Sequence, residues 1–436
     1  MAVSVLGTLV TASASAAPSV PQATAGARLE QRQQQTQQIR PENYDLRQHP
    51  VNDANERFWR NILWTTAVVE PEQPYVTTAL VQILALTARS DLSHPQMRTV
   101  DMAMQVATQL YTAAPDAHAA LETALLHTLS RSSDPQWVAM ALKALSLHAT
   151  PEQQQQWMQQ VQQRFPNWRQ EVSLYAALQD LTHRQTADPM PPLADLLNWS
   201  IAPNQLQLYV LCRPDRGVLC QTVLRDRNGQ FVRQDNQLWS VPLLLRSIHN
   251  LSWMFPRGQT PQGLYRIEGT VPQPDTEFFR AYGLFALVKL FVPFEAGVRE
   301  FVPGRAGPLT GSLTAYQNLL PPSWRNYFPI QQTYWAGKAG RALFRIHGSG
   351  EAPSFFSNNQ RYPGSGQWNP TIGCLSALEL YDESGRLQQA DMPRILEALH
   401  AHGGPQFTGY LIVVEVPGDA DIPVSLAEVE TVLAAR

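Results

Sequence analysis

The chain reads as a multidomain protein of α and β parts: an all-α, helical-repeat-like N-terminal domain followed by a mostly-β domain. Three observations predict this. Between proline breaks, from about residue 53 to 197, apolar residues recur at helical spacing. Beyond the linker marked by Met190-Pro191-Pro192 and Pro203, the period changes to strand-like alternation. The 436 residues are 44% hydrophobic, enough for about two or three domains with sizeable cores.

Composition excludes some classes. Charged residues make up 16% of the chain, against a typical ~25%, and the net charge is −3. No field of this kind would draw nucleic acid. No run approaches the ~18 apolar residues of a membrane span. Residues 1–22 read as an export segment, with an apolar stretch over 2–10 and small-x-small sites at Ala12-Ser13-Ala14 and Ala14-Ser15-Ala16. No Lys or Arg precedes that stretch, a departure from the signal pattern. The expected location is the periplasm or cell envelope. Residues 23–50, rich in Gln, read as a tether, in part helical.

The helical domain is expected over 51–200. Its breaks fall at Pro71, Pro74, Pro95, Pro115, Pro135, Pro151 and Pro166. Asp134 before Pro135 and Thr150 before Pro151 suit helix starts. Leu121, Leu125 and Leu129, then Val138, Leu142 and Leu145, share helix faces. About six or seven helices of roughly 13 to 18 residues follow, without a sequence-identical repeat. The array is expected to offer a surface to a protein partner.

The β-rich domain is expected over 203–436. Leu206, Leu208 and Val210 alternate, as do residues 218–224. Asp226-Arg227-Asn228-Gly229 signals a hairpin. Strands are expected over 243–248, 264–267 and 410–416, a loop over 301–311, a hairpin at 383–385, and helices over 314–320, 391–400 and 425–435. Of the three cysteines, Cys212 and Cys220 flank a turn and either bridge across it or stay as packed thiols. Cys374 has no evident partner.

The stretch 343–378 carries the chemistry. An apolar run delivers His347 to a bend at Gly348, and the chain returns through Thr371-Ile372-Gly373-Cys374 into a second apolar run. A lone Cys is usually a small buried hydrophobe and a lone His a satisfied polar group. Together at two strand ends they form a nucleophile and its general base, Cys374 and His347. Backbone N–H groups around Gly373 would bind the oxyanion, and Gly348 lets the chain turn after the base. His400 and His402 suit a helix C-terminus rather than a metal. No metal or cofactor is expected, since neither a ligand cluster nor a phosphate loop is present.

Three segments resemble, in order, those of the L,D-transpeptidase catalytic domain, the YkuD-like family. They are Thr260-Pro261-Gln262-Gly263-Leu264-Tyr265-Arg266-Ile267, Ile346-His347-Gly348, and Thr371-Ile372-Gly373-Cys374-Leu375. The resemblance spans roughly residues 203–417 and implies an exported enzyme of peptidoglycan stem peptides. Its cysteine would form a thioester and pass the acyl group to an amine. It also implies that Thr371 orients the imidazole. Position 372 is Ile where many members have His. Position 376 is Ser where Arg or Asn is usual, which bears on substrate binding. His347 and Cys374 are 27 residues apart, a longer interval than in the family. The intervening aromatic loop makes Tyr362 and Trp368, with Ser376, expected substrate contacts. Transfer to water, or a non-catalytic wall-binding scaffold, are the alternative readings.

Overall fold

The computed structural model describes residues 19–186, 188–214, 216–247, 251–273, 283–349 and 368–435. The first half is helical: α1 (Ala25–Thr36), α2 (Glu56–Val69), α3 (Pro74–Leu84), α4 (His94–Ala113), α5 (Ala120–Arg131), α6 (Pro135–Leu145), α7 (Pro151–Arg164), α8 (Val172–Thr186) and α9 (Leu193–Asn198). Proline lies in the first turn of α3, α4, α6 and α7, where its missing N–H costs nothing. Asp134 caps α6, accepting from Gln136 and Trp137 N–H at 2.8 and 3.0 Å. Among the described residues no helix is long and apolar enough to cross a membrane.

The segment expected as a tether is packed. Arg32 of α1 donates to the Val69 carbonyl at 3.2 Å, and Tyr75 donates to the Ile39 carbonyl at 3.0 Å. Tyr44 is buried with its hydroxyl 2.7 Å from Thr66 Oγ1. Long polar side chains do the docking here, so hydropathy alone hid it.

The second half holds β1 (Leu206–Cys212), β2 (Cys220–Arg225), β3 (Arg233–Gln234), β4 (Gln237–Leu238), β5 (Ser240–Leu243), β6 (Gly263–Val271), β7 (Leu287–Phe291), β8 (Arg345–Ser349), β9 (Leu375–Tyr381), β10 (Leu387–Ala390) and β11 (Thr408–Glu415). Among the described residues four helices are interspersed: α10 (Leu313–Gln317), α11 (Gln332–Lys338), α12 (Met392–Gly403) and α13 (Leu426–Ala434). Apart from the β3–β4 ribbon, the strands form one mixed sheet in the order β10-β9-β8-β7-β6-β11-β1-β2-β5. The sheet curls until its ends meet. Leu244, just past β5, exchanges bonds with Ser376 of β9 at 2.9 and 3.0 Å. Closure leaves β10 as the outlying edge.

Strand alternation sorts the apolar residues into two cores. Leu208, Val210, Tyr265, Ile267, Val288, Leu290, Ile346, Leu375 and Ala377 face inward with Met392, Ile395 and Leu399 of α12. Tyr209, Leu211, Leu264, Tyr410, Ile412 and Val414 face outward into the core that contains the helical array. Both faces of β1 are therefore buried, and every residue in it is covered. The helical and β-rich halves share a core, so the linker near residue 200 divides the chain but not the packing.

Cys212 and Cys220 form a disulfide across the β1–β2 turn, with Cα atoms 4.3 Å apart. Closing so short a loop is worth roughly 2–3 kcal/mol in the chain-entropy account. A Cys212→Ser/Cys220→Ser double variant should lose about that much in equilibrium denaturant unfolding, and an unchanged midpoint would refute it.

Candidate functional site

β8 and β9 run parallel, with Ile346 beside Leu375 and His347 beside Ser376. Ile346 and Leu375 point inward, so His347 and Ser376 share the outer face. Cys374 lies immediately before β9, one step diagonally from His347. Parallel pairing is what brings these two positions together across 27 residues of sequence.

His347 is buried, and its Nδ1 donates to the Gly348 carbonyl at 2.8 Å. A carbonyl can only accept, so the proton sits on Nδ1 and Nε2 is the basic nitrogen. Burial pushes the imidazole below its usual value, against the opposing pull of the Gly348 carbonyl. The ring is neutral at pH 7 and able to take a proton.

Cys374 is half-buried, and its thiol lies 3.7 Å from the Leu343 carbonyl. Burial pushes the thiol up. The Arg345 N–H, the Arg345 charge and the Arg341 charge pull it down, and Glu295 pushes it up. The balance is a neutral thiol at pH 7. Among the described residues no hydrogen bond joins thiol to imidazole. The resting pair is therefore neutral–neutral, not a preformed thiolate–imidazolium.

Gly373 shapes the turn into the nucleophile. Its φ is +125°, in the region L side chains avoid, and a Cβ there would overlap Arg341 Nη2. Its carbonyl accepts from Thr260 Oγ1 at 2.9 Å, tying the Thr260–Ile267 segment to the nucleophile loop. Gly373→Ala should cost roughly 1–3 kcal/mol from backbone strain and displace Arg341. Thermal unfolding together with the rate of thiol alkylation measures both. An alanine variant matching the parent in both would show that the site tolerates a side chain.

Several expected residues take other roles. The Thr371 hydroxyl accepts from Gly373 N–H at 3.2 Å and donates to the Cys374 carbonyl at 2.6 Å. It braces the loop instead of the imidazole. Ser376 is fully buried and bonded to Ser349 through their hydroxyls, so it presents nothing to a substrate. Trp368 is packed against Leu244 and Leu378, which removes it from the contact surface. Tyr362 and the rest of its loop fall outside the described residues.

Sequence reasoning missed Arg341, Arg345, Leu343 and Glu295. Arg345 precedes His347 by two, which places it on the same strand face. Leu343 is 69% exposed beside the thiol at a left-handed φ of +65°, held by Glu295 Oε1 at 2.9 Å from its N–H. Ile372, two residues before the nucleophile, is 39% exposed as well. A strained, exposed leucine beside a nucleophile is invisible to hydropathy. Arg341, ahead of β8, and Arg345, its first residue, were legible as residues, but not as neighbours of Cys374.

Gly348 does not turn the chain, since β8 runs on through Ser349; on the inner face it lies against Glu379, and a Cβ at 348 would overlap its Oε2. Glu379 Oε1 accepts from Leu284 N–H at 2.7 Å and from the Tyr381 hydroxyl. Burial pushes this carboxyl up to about 7 from 4.5. The folded state then holds more protons than the unfolded chain between those values, so stability falls as pH rises across that window. Glu379→Gln should flatten that part of a Tm-against-pH curve. An unchanged slope would assign the titration to another group.

No protein-family model matches the chain, and neither a curated protein nor a solved structure matches it.

Proposed function

We propose that this chain is a cysteine acyltransferase of the cell envelope, an L,D-transpeptidase of YkuD-like kind acting on peptidoglycan stem peptides. One observation carries the reading. The three segments of the resemblance, far apart in sequence, meet at one point: Thr260 bonds Gly373, and β8 sets His347 beside the strand that follows Cys374. The Cys212–Cys220 disulfide supports an oxidising compartment, hence export to the periplasm or envelope.

In the proposed cycle, His347 Nε2 takes the thiol proton as Cys374 Sγ attacks the amide carbonyl of the donor stem. Arg341 and Arg345 favour the thiolate as it forms. The tetrahedral oxyanion is held by backbone N–H groups of the nucleophile loop other than that of Gly373, which donates to Thr371. The C–N bond breaks, His347 returns the proton to the leaving amine, and a thioester remains. An acceptor amine then attacks the thioester and loses a proton to His347, and Cys374 departs as thiol. Water in place of the amine gives hydrolysis from the same thioester.

Incubation with purified muropeptides, followed by mass spectrometry of products, tests the transfer step. Cross-linked dimers are expected. Shortened stems alone would assign hydrolysis, and unchanged muropeptides with folded protein would refute catalysis on these substrates.

A further inference from the structure

A short loop, residues 251–260, links the helical array to the nucleophile. Trp253 Nε1 donates to Asp180 Oδ1 of α8 at 3.1 Å. The other oxygen of Asp180 takes Lys143 of α6 and Arg184, the latter at 3.3 Å. Burial opposes ionisation of Asp180, but Lys143 and Arg184 hold the carboxyl down to about 2, so it is a full anionic acceptor. Four residues on, the Arg257 guanidinium lies over the Trp64 ring of α2 at 4.9 Å.

The same loop grips the active site. The Trp253, Gly258 and Gln259 carbonyls accept from Arg341, the last two at 2.9 and 2.7 Å. Arg341 in turn fills the space where Gly373 lacks a side chain. The next residue, Thr260, bonds the Gly373 carbonyl. One side of the loop is thus fixed by α2 and α8, and the other holds the residue before the nucleophile.

We infer that the helical array is part of the catalytic unit: Asp180 is a positioning residue that, through Trp253, fixes Arg341 against Gly373 and sets the reactivity of Cys374. A buried Lys–Asp pair that only stabilised the array would need no tryptophan from the β-rich half. Nor would the loop backbone need three carbonyls on one guanidinium. Arg345, Glu295, Tyr265 and His347 also face or neighbour the thiol, and none of them contacts this loop through Asp180.

The test reads the thiol alone, so it stands or falls independently of the acyl-transfer reading. Cys374 is the free cysteine beside an intact disulfide, which makes iodoacetamide a specific probe of the full chain. In Trp253→Phe, which keeps an aromatic ring and loses the N–H, the pH midpoint of alkylation should rise by roughly half a unit or more. Arg341→Met should shift it at least as far, and the double variant no further than Arg341→Met. Non-additivity of this kind marks two residues acting through one path. Lys143→Met/Asp180→Leu removes the pair together and takes away the acceptor of Trp253 without leaving a lone buried charge. It should shift the midpoint the same way, and it replaces Trp253→Phe if that variant fails to fold. A lowered Tm with the alkylation profile unmoved, or additive shifts in the double variant, would overturn the inference.

Discussion

Cys374→Ala should abolish acyl transfer, with turnover down by at least about 10³-fold and the fold retained. The thiol is half-buried; it donates to the Leu343 carbonyl at 3.7 Å and accepts the Arg345 N–H, both weak bonds to sulfur, so its loss should leave the fold intact. What disappears is the nucleophile. Cys374→Ser should be nearly as inactive, because a serine hydroxyl is far less acidic than a thiol and a neutral imidazole is a weak base for it. Steady-state turnover on muropeptides, with circular dichroism to verify folding, measures this. Substantial activity in the alanine variant would remove Cys374 from the mechanism.

His347→Ala should lower kcat by about 10²- to 10⁴-fold, the usual worth of a placed general base. The pH profile distinguishes this from a packing defect. The productive pair has one transferable proton, on the thiol, with Nε2 free and the Nδ1 proton held by the Gly348 carbonyl. Protonating His347 blocks proton abstraction, and burial holds that event below its ordinary 6.5. Raising pH strips the thiol only above its ordinary 9.0, because burial pushes it up. In the parent, kcat/KM should therefore be flat across neutral pH, with an acid limb below 6.5. The His347→Ala variant should lack that limb. An acid limb that survives the substitution belongs to another group, and His347 would then be structural.

The division of the chain was legible because hydrophobic period is a local property. Leu121, Leu125 and Leu129 announce a helix face, and Leu206, Leu208 and Val210 a strand face, without knowledge of any partner. Gly373 and His347 were legible because backbone demands and side-chain chemistry narrow the choice of residue. Sheet closure was not legible, since the Leu244–Ser376 exchange joins segments whose meeting depends on the whole curl. The same holds for Arg341. Its role comes from three carbonyls and one missing Cβ, none of which leaves a trace in the hydropathy pattern. The segment after residue 23 misled because Arg28 and Arg32 bury stems that composition counts as solvent-loving. Ser376 and Trp368 misled for the opposite reason: residues suited to binding were spent on the Ser349 bond and on the packing around Leu244.

The central claim is a covalent acyl–enzyme on Cys374. The direct measurement is acid-quenched incubation of the full chain with purified stem peptides, then peptide mass spectrometry across position 374. A stem-derived acyl mass on Cys374, labile to hydroxylamine and absent in Cys374→Ala, is the expected result. An unmodified Cys374 across donor stems of varied length, in protein whose thiol still reacts with iodoacetamide, would contradict it.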